Sequence, residues 1–309
     1  MTLNERAWRV ADELEANAEL SRVTTSRIVG TRVIDCGANA TGSLAAGIFL
    51  ARACLADLGT VSLVPGEGGP CVQVVTDDPV RACLASQYAG MQVKVEKYLA
   101  MGSGPMRAAA AREELFQHIS GKESPACAVG ILESRKLPNE DAIAHIVSKL
   151  PTTVEKLTLL VAPAASLAGT LQVVARSVET AMHKLHELKF DVTKVISGYG
   201  TAPLPPIAKD EIGAIGRTND AILYGGRVTL WVNGDDAEIA AVGPNVPSNA
   251  SKDYGSPFAE IFKRYHGDFY KIDPLLFSPA EVTFVNLSSG RSQTFGKTDP
   301  NLLRKSYEA

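Results

Sequence analysis

Apolar positions recur at helical spacing over residues 3–20, which predicts an amphipathic helix with Leu3, Trp8, Ala11, Leu14 and Leu20 facing inward. The pattern then shortens. Arg32 to Gly37 reads as a strand that ends in a small-residue turn through Gly42 and Ser43. A helix is predicted over 45–58. Short strands are predicted at 61–64 and 72–75, separated by the loop Pro65-Gly66-Glu67-Gly68-Gly69-Pro70. Pro79 to Gly90 suits a helix with Gly90 as its stop.

Two later stretches share one plan. Val93 to Ala100 reads as a strand that enters Gly102-Ser103-Gly104-Pro105 and then a helix from Met106 to about Phe116. Lys156 to Val161 reads as a strand that enters Ala162-Pro163-Ala164-Ala165-Ser166 and then a helix from Leu167 to about Leu188. A further strand and a proline-bearing loop follow each: 126–132 with Leu137-Pro138, and 192–197 with Pro203 to Pro206. The likeness hints at two related halves without amounting to a repeat. The last third predicts strands at 221–224 and 228–232 across Gly225-Gly226-Arg227, a loop-rich stretch at 243–257, and a hairpin of 280–287 with 291–295 turning at Ser288-Ser289-Gly290. Short strands mixed with helices, without strict alternation, point to an α+β protein. The expected organisation is two α/β-containing domains, 1–150 and 151–309, with segments free to exchange between them. Their mixed sheets would flank a substrate cleft.

Composition narrows the function. The 309 residues carry 31 Lys+Arg against 34 Asp+Glu, a net charge of −3, with 45% hydrophobic residues. That apolar content and low charge exclude disorder as the main character. They also give no basic excess to release counterions, so nucleic acid is not an expected partner. The cysteines, Cys36, Cys54, Cys71, Cys83 and Cys127, are odd in number and contain no Cys-x-x-Cys pair, which argues against a disulfide framework or a zinc ribbon. Charges at Glu5, Arg6, Arg9, Asp12, Glu13 and Glu15 leave no room for the apolar region of a signal peptide, so the cytoplasm is the expected location. Leu157 to Ala175 is uncharged over 19 residues, but Pro163, Gly169 and several hydroxyls suit a buried strand and helix better than a membrane span.

Chemistry-bearing groups are few. Gly102-Ser103-Gly104-Pro105, between a strand and a helix start, suits either a bound phosphate or carboxylate or a tight turn that needs small residues. Arg176 and Glu179 close the uncharged run three apart on one helix face. In a desolvated pocket the pair would tune a proton-transfer group; at a helix emerging into water it would be a plain surface ion pair. His183 and His186 with Glu179 have a spacing that suits a metal, yet Lys184 and Glu187 flank them and solvated histidines fit that polar end as well. Tyr254, Tyr265, Phe269 and Tyr270 cluster in sequence, for core packing or for a flat-ring pocket.

Taken in order, Val33-Ile34-Asp35-Cys36-Gly37, Met101-Gly102-Ser103-Gly104-Pro105, Leu160-Val161-Ala162-Pro163, Arg176-Ser177-Val178-Glu179, Arg217-Thr218-Asn219-Asp220-Ala221, Tyr224-Gly225-Gly226-Arg227 and Phe269-Tyr270-Lys271-Ile272-Asp273 resemble the motifs of the methenyltetrahydromethanopterin cyclohydrolase family. The match runs over nearly the whole chain. It implies a hydrolase of one-carbon metabolism that takes 5,10-methenyl-tetrahydromethanopterin and water to the 5-formyl compound. The pterin is the substrate carrier, and no metal or redox cofactor is expected. The resemblance further implies a cytoplasmic homotrimer with no membrane or nucleic-acid partner. The family occurs in methanogenic archaea and in bacteria that oxidise one-carbon compounds. A composition without the Lys/Glu enrichment of hyperthermophiles points to a methylotrophic bacterium. Carried over residue by residue, the family's catalytic pair falls on Arg176 and Glu179. The 102–104 turn would hold a polar or anionic group of the substrate. Asp35, Asn219, Asp220 and Tyr254 are further pocket candidates, because polar residues in small-residue loops read a pterin edge. Another pterin enzyme on the same scaffold, or a non-catalytic phosphate-binding protein, remains as the alternative. Loss of the methenyl pterin's near-UV absorbance separates the first reading from these.

Overall fold

A computed structural model describes residues 1–268 and 271–308. Phe269 and Tyr270, half of the predicted aromatic cluster, lie outside the described residues. Along the chain run α1 (Leu3–Ala16), α2 (Ala18–Ser21), β1 (Thr24–Ile28), β2 (Thr31–Asp35), α3 (Leu44–Cys54), β3 (Gly59–Gly66) and β4 (Gly69–Thr76). A π-helical segment, Val80–Gln87, leads to β5 (Met91–Val95), β6 (Tyr98–Ser103), α4 (Met106–Ala110), β7 (Cys127–Glu133), α5 (Glu140–Val147) and β8 (Lys156–Ala162). The remainder is α6 (Leu167–Val174), α7 (Ser177–Glu187), β9 (Val195–Pro203), α8 (Glu211–Leu223), β10 (Arg227–Val232), α9 (Asp236–Val242), α10 (Phe258–Arg264), β11 (Glu281–Asn286), β12 (Ser292–Gly296) and α11 (Pro300–Glu308).

The protein is α+β, with two compact units that each hold a six-stranded mixed sheet. The first unit comprises residues 1–59 and 80–172, the second 60–79 and 173–309. These units differ from a single cut at residue 150. β8 pairs in parallel with β2 and β7, which keeps residues 151–172 with the N-terminal unit, while the β3–β4 segment joins the second sheet.

In the first unit the strand order is β1-β2-β8-β7-β6-β5. β8 is buried from Leu157 onward, as a strand covered on both faces must be. Side chains alternate across this sheet. Ile34, Cys36, Val129, Ile131, Leu160 and Ala162 pack with α1 and α3, while Val33, Ala128, Leu132, Leu159 and Val161 pack with α5. α1 starts at a capping box: the Thr2 hydroxyl accepts the Glu5 N–H, and the Glu5 carboxylate accepts the Thr2 N–H. The predicted helix over 3–20 breaks at Asn17, and the break rotates Leu20 outward to 82% exposure.

In the second unit the order is β12-β11-β10-β9-β4-β3. The predicted strand at 221–224 is instead the last turn of α8. That helix is capped by Asp210, whose carboxylate accepts the Gly213 N–H, and it runs on to the Gly225-Gly226 stop. β10 therefore pairs with β9 and β11 rather than with a local hairpin partner. The predicted hairpin of 280–287 with 291–295 is present as antiparallel β11 and β12. The uncharged run is a buried strand and helix, as its composition implied. Among the described residues no helix is long and apolar enough to cross a membrane.

Candidate active site

The predicted single helix over 167–188 breaks at residues 175–176, and α7 begins just beyond the break. Arg176 is its N-cap and Glu179 lies in its first turn. The two side chains are 7% and 4% exposed. The surface-pair reading therefore falls: these groups are withdrawn from water. A buried carboxylate is costly unless something answers its charge. The positive pole of the helix start does so for Glu179 in the first turn of α7. The approach of this helix to β9 depends on two glycines. A Cβ at Gly200 would lie 2.4 Å from the Ser177 hydroxyl oxygen, and one at Gly198 would lie 2.6 Å from a Val178 methyl. Ser177 is fully buried and its hydroxyl has no hydrogen-bond partner.

Asn219, Asp220 and Tyr254 also belong to the second unit. Asn219 turns back along α8 and donates to the Ile215 carbonyl at 2.8 Å. Asp220 is fully buried and accepts the Phe258 N–H at 2.8 and 3.1 Å, holding the first residue of α10. Burial pushes its carboxyl up to about 7, against the pull of the Ser306 hydroxyl and the Phe258 N–H. Asp220 thus braces α8, α10 and α11 rather than offering its oxygens outward. Tyr254 is half-buried, its ring centroid 5.1 Å from that of Tyr224. The Tyr224 hydroxyl donates to the Ser256 carbonyl at 2.6 Å and accepts the Gly255 N–H at 3.3 Å.

In the first unit, Asp35 is buried and accepts four backbone N–H groups, from Gly37 and Ala38 on one oxygen and Asn39 and Ala40 on the other, at 2.7–3.1 Å. It shapes the loop after β2, and its oxygens are taken up by that work. The 102–105 turn is likewise internal. Ser103 is 2% exposed, and its hydroxyl lies 3.2 Å from the Cys54 sulfur. The Gly104 N–H donates to the Ser86 carbonyl at 2.9 Å. Gly104 has φ +89, and a Cβ there would lie 2.6 Å from the Ile131 Cδ1, so a small residue is required on both counts. α4, which follows, spans only Met106–Ala110 and stops at left-handed Ala111. The turn carries the tight-turn reading and presents no open anion cradle. Arg107 is also internal: it forks onto Glu113 and donates to the Leu84 and Ser86 carbonyls.

His183 Nε2 lies 3.8 Å from the Glu187 carboxylate, one helical turn on. Among the described residues no group of three or more His, Cys, Asp or Glu side chains is placed to hold a metal ion. The five cysteines are free thiols. Sequence reasoning missed Lys184, which it took for part of a polar helix end; it is 1% exposed. The missed signal is its phase, since Lys184 falls on the same helix face as buried Ser177 and Ala181.

Two mixed sheets, with Arg176 and Glu179 both buried at the start of one helix, define an α+β protein that holds a carboxylate away from water. Comparison with known proteins narrows that class. The chain matches the family described as Cyclohydrolase (MCH) across residues 2–307. It is 52% identical over 289 residues to the methenyltetrahydromethanopterin cyclohydrolase of Rhodopirellula baltica, covering 91% of this chain and 87% of that one. It is 45% identical over 317 residues to the enzyme of that name from Methylobacterium sp. (strain 4-46), covering 99% and 97%. The Methylobacillus flagellatus counterpart is 43% identical over 311 residues, covering 99% and 95%. This chain belongs to the MCH cyclohydrolase family.

Proposed function

We propose that this protein hydrolyses 5,10-methenyl-tetrahydromethanopterin to 5-formyl-tetrahydromethanopterin, with Glu179 as the proton-transfer group and Arg176 as its electrostatic partner. The observation that supports these roles is the burial of both side chains at the start of α7. The substrate carbon is an amidinium cation between N5 and N10. Glu179 takes a proton from water as the oxygen attacks that carbon, giving a neutral hydroxy adduct. In the collapse the adduct hydroxyl loses its proton, the bond from carbon to N10 breaks, and Glu179 returns a proton to N10. One proton is released overall, and the formyl group stays on N5. A single carboxylate serves first as general base and then as general acid. Arg176 orients the carboxylate and faces the developing oxygen charge.

The reaction changes no oxidation state, so the proposal includes no redox cofactor. The carbon under attack is already cationic, so no Lewis acid is invoked. We assign Tyr254 to the pterin-binding surface on the strength of its half-buried ring. We further propose a homotrimer in the cytoplasm of an organism that oxidises one-carbon compounds, a reading the family resemblance supports. Adding the protein to the methenyl pterin should abolish its near-UV absorbance and yield the 5-formyl product; an unchanged spectrum would refute the proposed activity.

A further inference from the structure

Lys184 lies on the inward face of α7, five residues beyond Glu179, and its ammonium donates to the Leu275 carbonyl. Leu275 in turn donates its N–H to the Asp273 carboxylate at 3.1 Å, so the same residue links Lys184 to Asp273. Burial draws the Lys184 ammonium down to about 8, with Asp273 opposing that fall. An apolar side chain of similar length would fill this space without desolvating a charge. What the ammonium adds is a directional tie between α7 and a distant segment.

That segment is a connected brace. The Asp273 carboxylate accepts the Ser251 hydroxyl at 2.7 Å and the Leu275 N–H at 3.1 Å. Burial works against its ionised form, but these bonds, one from the Lys252 N–H and the Lys184 charge hold it below the usual value. The Asp273 N–H donates to Asp253 at 2.9 Å, and Asp253 also accepts the Tyr265 hydroxyl at 2.9 and 3.1 Å. Ser251 and Asp253 lead directly into Tyr254. Beyond it, Gly255 and Ser256 are bonded to the Tyr224 hydroxyl at the end of α8. The 251–256 loop is thus fastened at one end to α7 through Asp273, Leu275 and Lys184, and at the other to α8 through Tyr224.

We propose that Lys184 is a positioning residue which, through Asp273, holds the 251–256 loop so that the Tyr254 ring presents a flat surface to the bicyclic pterin. The inference rests on the cyclohydrolase activity and on no group that touches the reacting carbon. A tie of this kind sets how well the substrate is held, so its loss is read in KM rather than in kcat.

The test measures KM and kcat for the methenyl pterin in wild type, Lys184→Met, Asp273→Asn, the double variant and Tyr254→Ala. Lys184→Met and Asp273→Asn should each raise KM about three- to tenfold and leave kcat within about twofold. The double variant should raise KM no further than the worse single change, because both act through one tie. Tyr254→Ala should raise KM by about tenfold or more, since it removes the surface itself. If Lys184→Met does not fold, Asp273→Asn carries the same expectation. A purely structural tie would lower the melting temperature and leave KM unchanged, and that result would overturn the proposal. So would additive KM effects, a fall in kcat instead, or a Tyr254→Ala variant with wild-type KM. A wild type that leaves the methenyl pterin unchanged would instead refute the activity, and the positioning role with it.

Discussion

Arg176-Ser177-Val178-Glu179 and Arg217-Thr218-Asn219-Asp220 share one spacing and lie in one unit, yet take up different surroundings. In the first, both charged residues are buried at the start of α7. In the second, Arg217 donates to the Pro206 carbonyl at 3.3 Å, while Asp220 turns inward to hold the first N–H of α10 and the Ser306 hydroxyl. An arginine three residues before an acid is therefore not by itself a catalytic unit. Position in the helix decides: a helix start offers its positive pole to a carboxylate, whereas Asp220 lies near the end of α8 and must find its donors on α10 and α11.

The largest expected effect tests the structural member of this comparison. Asp220 ordinarily titrates at 3.8 and is pushed up to about 7 here, so the folded protein holds its proton more tightly than the unfolded chain does. The stabilisation this gives is full below 3.8 and is lost as pH rises through about 7. The shift corresponds to about 4 kcal/mol. Denaturant titrations at a series of pH values should show wild type losing about that much relative to Asp220→Asn across this window. Parallel curves would show that Asp220 does not titrate as described.

Arg176→Ala should lower kcat by about a hundredfold, near 2.7 kcal/mol in the barrier. It should also shift the pH–rate profile upward as the buried Glu179 loses its countercharge. Arg176→Lys should recover only part of the rate, because an ammonium lacks the planar fork. Superimposable profiles for the three proteins would make this pair as structural as the second one.

Gly104→Ala places a Cβ into the Ile131 side chain at a backbone angle unsuited to alanine. It should cost about 1–3 kcal/mol of stability and leave kcat of the folded protein unchanged. A selective loss of substrate binding at intact stability would return the 102–105 turn to the binding surface. The smallest effect expected is none: a chelator should leave activity unchanged. Loss restored by one divalent metal would bring Glu179, His183 and His186 together as a metal site.

Local pattern carried part of this. The uncharged run is β8 and α6, and the C-terminal hairpin is β11 and β12, because β8 is apolar enough to be buried on both faces and β11 alternates buried with half-buried positions. The stretch at 221–224 misled because a run of four apolar residues fits a strand or a buried helix end equally well. Its true partners on α10 and α11 are distant in sequence, and the helix over 211–223 is missing from the elements the pattern predicts. The helix predicted over 106–116 ends at Ala110, because the chain turns left-handed at Ala111. For the site, the Arg176–Glu179 spacing was legible, but its burial was not. Burial depends on β9, whose Gly198 and Gly200 let α7 approach. Lys184 escapes sequence reading for the same reason: a lysine's partner, here the Leu275 carbonyl, is fixed by tertiary packing rather than by neighbours in sequence.

The central claim is that Glu179 moves the proton. Its most direct test is the kcat of Glu179→Gln on methenyl-tetrahydromethanopterin, measured beside wild type with the fold verified by circular dichroism. Glutamine keeps the size and polarity and removes only the titrating carboxyl. A fall of about 10²–10⁴-fold is expected. A folded Glu179→Gln variant that turns over at the wild-type rate would contradict it.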